Sequence, residues 1–363
     1  MATIYDVAKA AGVSPKTVSR VLNGDAPVGA ETRLAVTEAM SALGYQPSRA
    51  ARMMRSNRSG LVGLITGAIS VGLEEAQSLG LPELFIVQGI QQGMAESGKT
   101  LMIADTGGDV TKAGPLIDTF LQHRVEGLIY VAEYHQQVTL PPIPGDTPIV
   151  LVNGFDAAGT PAVLPDDQKG MHDLVARLVE AGHRRIGYIT LRDDITATPL
   201  RLKGYRAALG EAGVPADPAL IVPGELPGRE TDNDVLVPAL EKLLGLNNPP
   251  TVICCGNDRM ALRLYGLLRA RGFRVPDDMS VAGYDNYRVI AETLFPPLTT
   301  VDLPYRAMGV RAAERLLSLI SGDSRTPAGP DVVSGPVYWR RSVITPKGVT
   351  TAHNTQVSGG LQS

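Results

Sequence analysis

The chain predicts an α/β protein in two parts: a three-helix head of helix-turn-helix type, then a two-lobed body of parallel, doubly wound sheets. Three observations predict it. Residues 4–23 hold two short amphipathic stretches joined at Gly12. From Leu61 onward, short β-type apolar runs alternate with amphipathic helical stretches. That alternation starts afresh at RIGYIT (185–190), which implies two similar lobes in tandem.

Each element has its own local reason. Ile4, Val7, Ala8 and Ala11 recur at helical spacing and give the first helix an apolar face, which Gly12 ends. Ser14 is placed to cap the next helix, with Pro15 at its first position. That second helix hides Val18, Val21 and Leu22. Lys16, Ser19, Arg20 and Asn23 then share the opposite face, a polar strip with two cations and no carboxylate that suits base edges in a DNA groove. Val36, Ala39, Met40 and Leu43 predict a third helix over 30–43 that closes a small core, stopped by Gly44. YQPSRAARMMRSNRS (45–59) carries four arginines and no acid and is too short to own a core. It reads as a linker or a helix that orders only when something packs against it.

The body follows from LVGLIT, TLMIAD, GLIYV and PIVLV, interleaved with helical stretches at 83–97, 110–123 and 168–181. After RIGYIT come a helix near 199–212, a strand near 219–222, a helix near 230–245, TVICC, a helix over 258–271 and MSVAGY. The expected division is a head over 1–46, a linker over 47–59 and a body over 60–345. Its first lobe takes about 60–165 and 291–325, its second about 166–290 and 326–345. The polar, Gly/Ser/Thr-rich tail 346–363 is expected to be disordered. Ligands of such sheets gather at the carboxyl ends of strands, so a cleft between the lobes is the default binding place.

Composition narrows the function further. At 363 residues and 44% apolar content, the chain exceeds one hydrophobic core. It has no run of eighteen uncharged apolar residues, and Asp6, Lys9, Lys16 and Arg20 stand where a secretory peptide needs an apolar stretch. A cytoplasmic protein without membrane attachment is expected. Cys254 and Cys255, the only cysteines, lie side by side in an apolar run and read as small core hydrophobes, with no disulfide scaffold and no metal site. The net charge of −3 divides unevenly: residues 1–59 carry +4 and the remainder −7. A basic head on an acidic body fits a phosphate-binding module joined to a domain that does not touch DNA.

DVAKAAGVSPKTVSRVLNG (6–24), ETR…LGYQPSRAAR (31–52), LVEAGHRRIGYI (178–189), NDRMALRLYGLLRARGFRVPDDMSVAGYDN (257–286) and PPLTTVDLPYRAMGVRA (296–312) carry a resemblance. With these motifs in this order, the chain resembles the lactose-repressor/galactose-repressor (LacI/GalR) family of bacterial transcription regulators over residues 3–345. The resemblance implies a body like that of periplasmic sugar-binding proteins. It implies double-stranded operator DNA, a small-molecule effector that is a sugar by preference, and a second copy of the chain as partners, with no cofactor. It assigns base reading to Pro15, Lys16 and Arg20; the two cations favour G·C pairs and the proline offers only apolar contact. It assigns phosphate contacts to Thr3, Tyr5, Ser14, Thr17, Ser19, Asn23 and Tyr45. The linker matches the family's hinge helix, with Ala51 and Met54 against the minor groove and Met54 where the family has a wedging leucine. Gly29 stands where a serine is usual before the third helix.

In the body, Arg201, Asn257 and Asp285 match family effector positions in the second lobe, and Phe85 and Asn153 match positions facing the cleft from the first. Asn257 and Asp285 have a plainer reading as helix caps, and Arg201 as a surface cation. SVGLEEAQSLG (70–80) is longer than the family norm, and PGELPGRE (223–230) lacks the tryptophan that some sugar-responsive members stack on a ring. Repression relieved by a sugar inducer is the expectation; corepression by a nucleobase or other metabolite uses the same parts with the opposite sign. An enzyme on the same fold is disfavoured, because GxxxxGK[ST], GxGxxG and GxSxG are absent and the five histidines are scattered. His183, just before a strand, reads as structural. An exported binding protein would need the reverse of what the N-terminus shows.

Overall fold

The computed structural model describes residues 2–23, 28–45, 58–67, 83–227, 233–323 and 329–346. Two compact units result: Met1–Leu61 with Arg124–Glu126, and the remainder.

In the first unit, α1 (Ile4–Ala10), α2 (Pro15–Asn23) and α3 (Ala30–Ala42) enclose Val7, Ala8, Val18, Val36 and Ala39. Ile4, Ala11, Val13, Val21, Leu22, Met40 and Tyr45 pack around that centre half-buried. Leu43, expected in the core, is 39% exposed instead. It sits at the C-cap, where the helix turns into the left-handed residue Gly44 (φ 59°), and the seal is made one residue on: Tyr45 N donates to Met40 O at 2.9 Å and both side chains join the cluster. The same closure ends α1, with Gly12 at φ 65° and Val13 N donating to Ala8 O at 3.0 Å.

The second unit holds two six-stranded sheets. Its elements in chain order are β1 (Leu61–Thr66), α4 (Glu83–Glu96), β2 (Thr100–Asp105), α5 (Ala113–Gln122), β3 (Leu128–Gln137), β4 (Ile149–Phe155), β5 (Ala162–Pro165), α6 (Asp167–Glu180), β6 (Ile186–Thr190) and α7 (Ala197–Glu211). They continue with β7 (Ile221–Pro223), α8 (Asn233–Leu244), β8 (Val252–Cys255), α9 (Asp258–Ala270), β9 (Ser280–Asp285), α10 (Arg288–Ala291), β10 (Thr299–Asp302), α11 (Tyr305–Ser321), β11 (Asp331–Val333) and β12 (Val337–Tyr338). The strand orders are β11-β5-β4-β3-β1-β2 and β12-β10-β9-β8-β6-β7. The ladders β1–β3, β3–β4, β4–β5, β5–β11, β6–β7, β6–β8, β8–β9 and β9–β10 are parallel, and β10 pairs antiparallel with β12.

The expected lobe boundaries need correction in two places. Residues 299–302, assigned to the first lobe, pair with β9 of the second sheet, since the β-branched run TTV continues its ladder from Thr299 opposite Ala282. Residues 331–333, assigned to the second lobe, add to β5 of the first sheet, with Val332 opposite Leu164. The chain therefore crosses between the lobes after β5, after β10 and after β11. The strands missed in the sequence are the short ones of two to four residues, too brief to show a period.

Each lobe buries a helix pair in close approach. A Cβ on Gly309 of α11 would strike the carbonyl oxygen of Ile86 in α4, and one on Gly204 of α7 would strike that of Gln168 in α6. Cys254 and Cys255 point into the two separate cores of the second lobe, and burial pushes the Cys254 thiol up to about 12. Both behave as the small hydrophobes expected.

His183 closes α6 through its own N–H to Leu178 O, and its Nδ1 bonds Thr251 Oγ1 at 2.7 Å. Burial lowers its pKa to about 4. The unfolded chain takes up this proton near pH 6.5 and the folded chain does not, so the group's stability is complete above that pH and drains away as pH falls toward 4. His183→Gln should reduce the loss of stability between pH 7 and 4.5 by roughly 2–3 kcal/mol, read by urea unfolding at both pH values.

Candidate functional site: a helix-turn-helix face and an interlobe cleft

The head's candidate face is built from α2. Ser14 Oγ accepts from Thr17 N at 3.1 Å and lies 2.9 Å from Thr17 Oγ1, which caps the helix as expected. Burial of Val18 turns Lys16 and Arg20 outward, both exposed, with Pro15, Thr17 and Ser19 half-buried beside them. Tyr5 is 71% exposed, the most exposed large hydrophobic side chain among the described residues of the head. Thr3 closes a capping box: its N and Oγ1 donate to Asp6 Oδ2 at 2.8 and 2.7 Å, while Asp6 N donates back at 3.4 Å. Those bonds hold the Asp6 carboxyl below the ordinary carboxylate range. Gly29 precedes α3 without a side-chain cap. Asn23 ends α2, its side chain outside the described residues, as are Ala51 and Met54.

In the body, five predicted ligand residues divide into two groups. Phe85 and Asp285 line one cavity of about 860 Å³, together with Asn286, Leu303, Arg306 and Ser334. Phe85 is 44% exposed on α4. Asp285, in an unusual backbone conformation (φ 121°), is no helix cap; Tyr287 precedes α10 instead. Burial pushes its carboxyl up to about 6 against the pull of Arg201 and Arg259. Its neighbour Asp258 is raised too, by burial and by Asp285, though it accepts from Thr300 Oγ1 at 2.6 Å and Tyr287 N at 2.8 Å. Each carboxyl disfavours the other's charge, so the two titrate as a pair.

The other three are occupied by the protein. Asn257 caps α9, its Oδ1 accepting from Met260 N at 2.7 Å and its Nδ2 donating to Glu225 at 3.2 Å. Asn153 is buried in the left-handed region (φ 59°) and donates to Ala132 O at 3.4 Å. Arg201, expected to offer itself to a ligand, is only 3% exposed: Nε donates to Asp167 at 2.7 Å, Nη1 to Gly256 O at 2.6 Å, and its guanidinium lies 3.6 Å from the centre of the Tyr284 ring. Its surface-cation reading is likewise set aside.

Sequence reasoning missed Asp167 and His135. Asp167 begins α6 in the second lobe and is fully buried; besides Arg201 it accepts from Nδ1 of His135 at 2.8 Å, on β3 of the first lobe. Burial opposes its charge, but Arg201 and His135 outweigh burial and hold its pKa below the ordinary value. Arg201 answers in kind, its pKa raised by Asp167 against burial. One carboxylate thus ties both lobes. The only signal in the sequence was the acidic pair Asp166–Asp167 at a helix start, where Asp166 alone supplies the cap, accepting from Lys169 N at 3.1 Å.

A small domain presenting a basic helix face, followed by a two-lobed binding fold, defines a ligand-responsive DNA-binding regulator. Residues 3–48 match the family described as bacterial regulatory proteins, lacI family, and residues 175–343 match the periplasmic binding protein-like domain. The chain is 33% identical over 361 residues to the HTH-type transcriptional regulator GalR of Escherichia coli (strain K12), covering 98% of this chain and 99% of that protein. It is 32% identical over 323 residues to the HTH-type transcriptional repressor PurR of Vibrio atlanticus (strain LGP32), covering 88% and 92%. The solved lac repressor dimer bound to operator and the anti-inducer ONPF superposes with a TM-score of 0.75 at 26% identity, covering 94% of this chain and 99% of that one. The transcriptional regulator CelR in complex with cellobiose gives 0.63 at 30% identity, covering 94% and 100%.

The chain belongs to the LacI family of bacterial regulatory proteins. It is a DNA-binding transcription regulator with a small-molecule effector, and not an enzyme. No described helix is long and apolar enough to cross a membrane.

Asp167→Asn leaves the Arg201 charge buried without its counter-ion. It should cost about 3–5 kcal/mol in urea unfolding at pH 7; a loss below 1 kcal/mol would show that Arg201 is held by Gly256 and Tyr284 alone.

Proposed function

We propose that the chain is a repressor that grips a pseudo-palindromic operator as a homodimer in the cytoplasm and is released by a sugar inducer. The exposed pair Lys16 and Arg20 on a helix held by Ser14 and Val18 carries the reading. Two cations one helical turn apart can each donate to guanine O6 and N7, while Pro15 offers only a hydrocarbon surface. Tyr5, Ser14, Thr17, Ser19, Asn23 and Tyr45 take phosphates and fix register. Thr3 does so through whatever capacity its capping box leaves. Ala51 and Met54 face the central minor groove in a hinge segment that folds on DNA. Met54 is the apolar wedge. The head over 1–46, the linker over 47–59 and the tail over 346–363 remain the proposed working divisions.

In the body, Phe85 supplies an apolar wall and Asp285 a hydrogen-bonding carboxyl to the effector. Asn153, Asn257 and Arg201 hold the cleft in shape and contact the ligand only with what their protein bonds leave. Hydroxyl groups arrayed on a ring fit that mixture of acceptor and hydrocarbon. The transcriptional regulator CelR, solved in complex with cellobiose, supports a sugar. Ligand binding favours one arrangement of the lobes, and that preference reaches DNA through the hinge segments.

Arg20→Ala should weaken binding to a matched operator by about 1–3 kcal/mol and relax preference at one base pair, measured by competition titration; a sugar panel added to the wild-type complex should contain at least one member that releases DNA. Unchanged affinity and selectivity in the variant would remove Arg20 from base reading.

A further inference from the structure

We propose that Glu126, in the turn between α5 and β3, is a positioning residue that fixes the point where the linker ends and so sets the half-site spacing of the operator, without touching DNA. The inference rests on the proposed reading of a homodimer on a pseudo-palindromic operator. Glu126 is half-buried; its Oε1 accepts from Gly60 N at 2.6 Å, 66 residues away in the chain, while its own N donates to Leu61 O at 2.8 Å. One residue thus clasps the chain at two successive positions.

The local chemistry explains why an acceptor is needed there. Gly60 lies in the left-handed region (φ 70°), where a Cβ would be strained, and in that turn its N–H goes to the Glu126 carboxylate. A carboxylate holds an amide more strongly than a neutral carbonyl does. Ser59 Oγ accepts from Leu61 N at 3.1 Å, and two residues on Gly63 N donates to Gly127 O at 3.0 Å, where β1 joins β3. The chain is therefore bonded step by step from Ser59 into the sheet. β1 and β3 lie side by side within the first sheet, neither of them at an edge, so the clasp is built on a rigid element. Residues 124–126 also fall in the same compact unit as the chain from Met1 to Leu61.

The consequence is geometrical. In the proposed complex two linkers, each with Arg49, Arg52, Arg55 and Arg58, meet in one minor groove, and each starts from its own clasp. Without the bond to Glu126, Ser59, Gly60 and Leu61 join the tether. Three more residues add up to about 10 Å of reach per protomer, whereas one base pair adds about 3.4 Å along the duplex. A tether loosened that far accepts several spacings; a clasped one of limited reach favours the single spacing that its length matches. A neutral amide at 126 keeps an acceptor for Gly60 N, and an alanine keeps none.

The test selects duplexes from random-sequence DNA with the full wild-type chain, then titrates one selected duplex and versions of it with the centre lengthened or shortened by one and two base pairs. Wild type should favour one spacing by about thirtyfold over its neighbours. Glu126→Ala should bind that duplex about tenfold more weakly and discriminate the spacings by less than about threefold, whereas Glu126→Gln should retain most of the preference. Thermal unfolding checks that each variant is folded; should the alanine variant not be, Glu126→Thr serves, since a β-branched residue suits the strand and its hydroxyl is too short to reach Gly60. A defect in folding alone weakens every duplex alike and leaves the ratio between spacings unchanged. Spacing as sharp in the folded alanine or threonine variant as in wild type, or lost as fully in Glu126→Gln, would overturn the anchor alone. A wild type that selects no two-fold related sequence, or prefers no spacing, would overturn the operator reading and the anchor with it.

Discussion

The body is organised around one buried charge pair. Asp167 and Arg201 are both sealed from solvent, and the guanidinium keeps the carboxyl ionised, their attraction outweighing the loss of hydration that burial imposes. Such a pair is poor stability evidence in itself, since a hydrocarbon replacement of equal volume often serves as well. What it supplies here is placement. Asp167 fixes the start of α6, Arg201 reaches from α7 to the end of β8 at Gly256 and covers the Tyr284 ring, and His135 brings the first lobe to the same carboxylate.

Several features of the cleft follow from that arrangement. Arg201 is the main positive charge opposing the burial of Asp285, together with Arg259, yet its own nitrogens are taken up by Asp167 and Gly256. Asp285 therefore titrates near pH 6, above the ordinary carboxylate range, and above that pH it accepts from a hydroxyl. Asn257, expected to face a ligand, instead caps α9 and holds Glu225. The resulting recess is shaped by protein–protein hydrogen bonds, with few polar groups left over to choose a ligand. That is the usual economy of a specific site.

How much of this the sequence disclosed depends on how local the cause is. The head was legible almost residue by residue: Gly12 and Gly44 as left-handed stops, Ser14 as a cap, Val18 as the buried side of α2 all act within four residues of themselves. The long strands and helices of the body were legible by period. Misplaced were Leu43, displaced from the core by the helix closure that brings Tyr45 in, and the strands 299–302 and 331–333, each of three or four residues and each assigned to the wrong lobe. The network of His135, Asp167 and Arg201 could not be read at all. Its members lie 32 and 34 residues apart, and only the fold brings them within a hydrogen bond. Of the five expected ligand residues, Phe85 and Asp285 line the cavity of about 860 Å³, although Asp285 shared with Asn257 a plainer reading as a helix cap.

The central claim is that His135 and Asp167 fasten the lobes to each other. Because Cys254 and Cys255 are the chain's only cysteines and both are fully buried, spin labels attached through Asp118→Cys on α5 and Arg269→Cys on α9 would report only on those two exposed helix positions. Pulsed electron resonance on the doubly labelled chain should give a single narrow distance distribution, which His135→Ala broadens or splits. The same narrow distribution with and without the histidine would contradict the account.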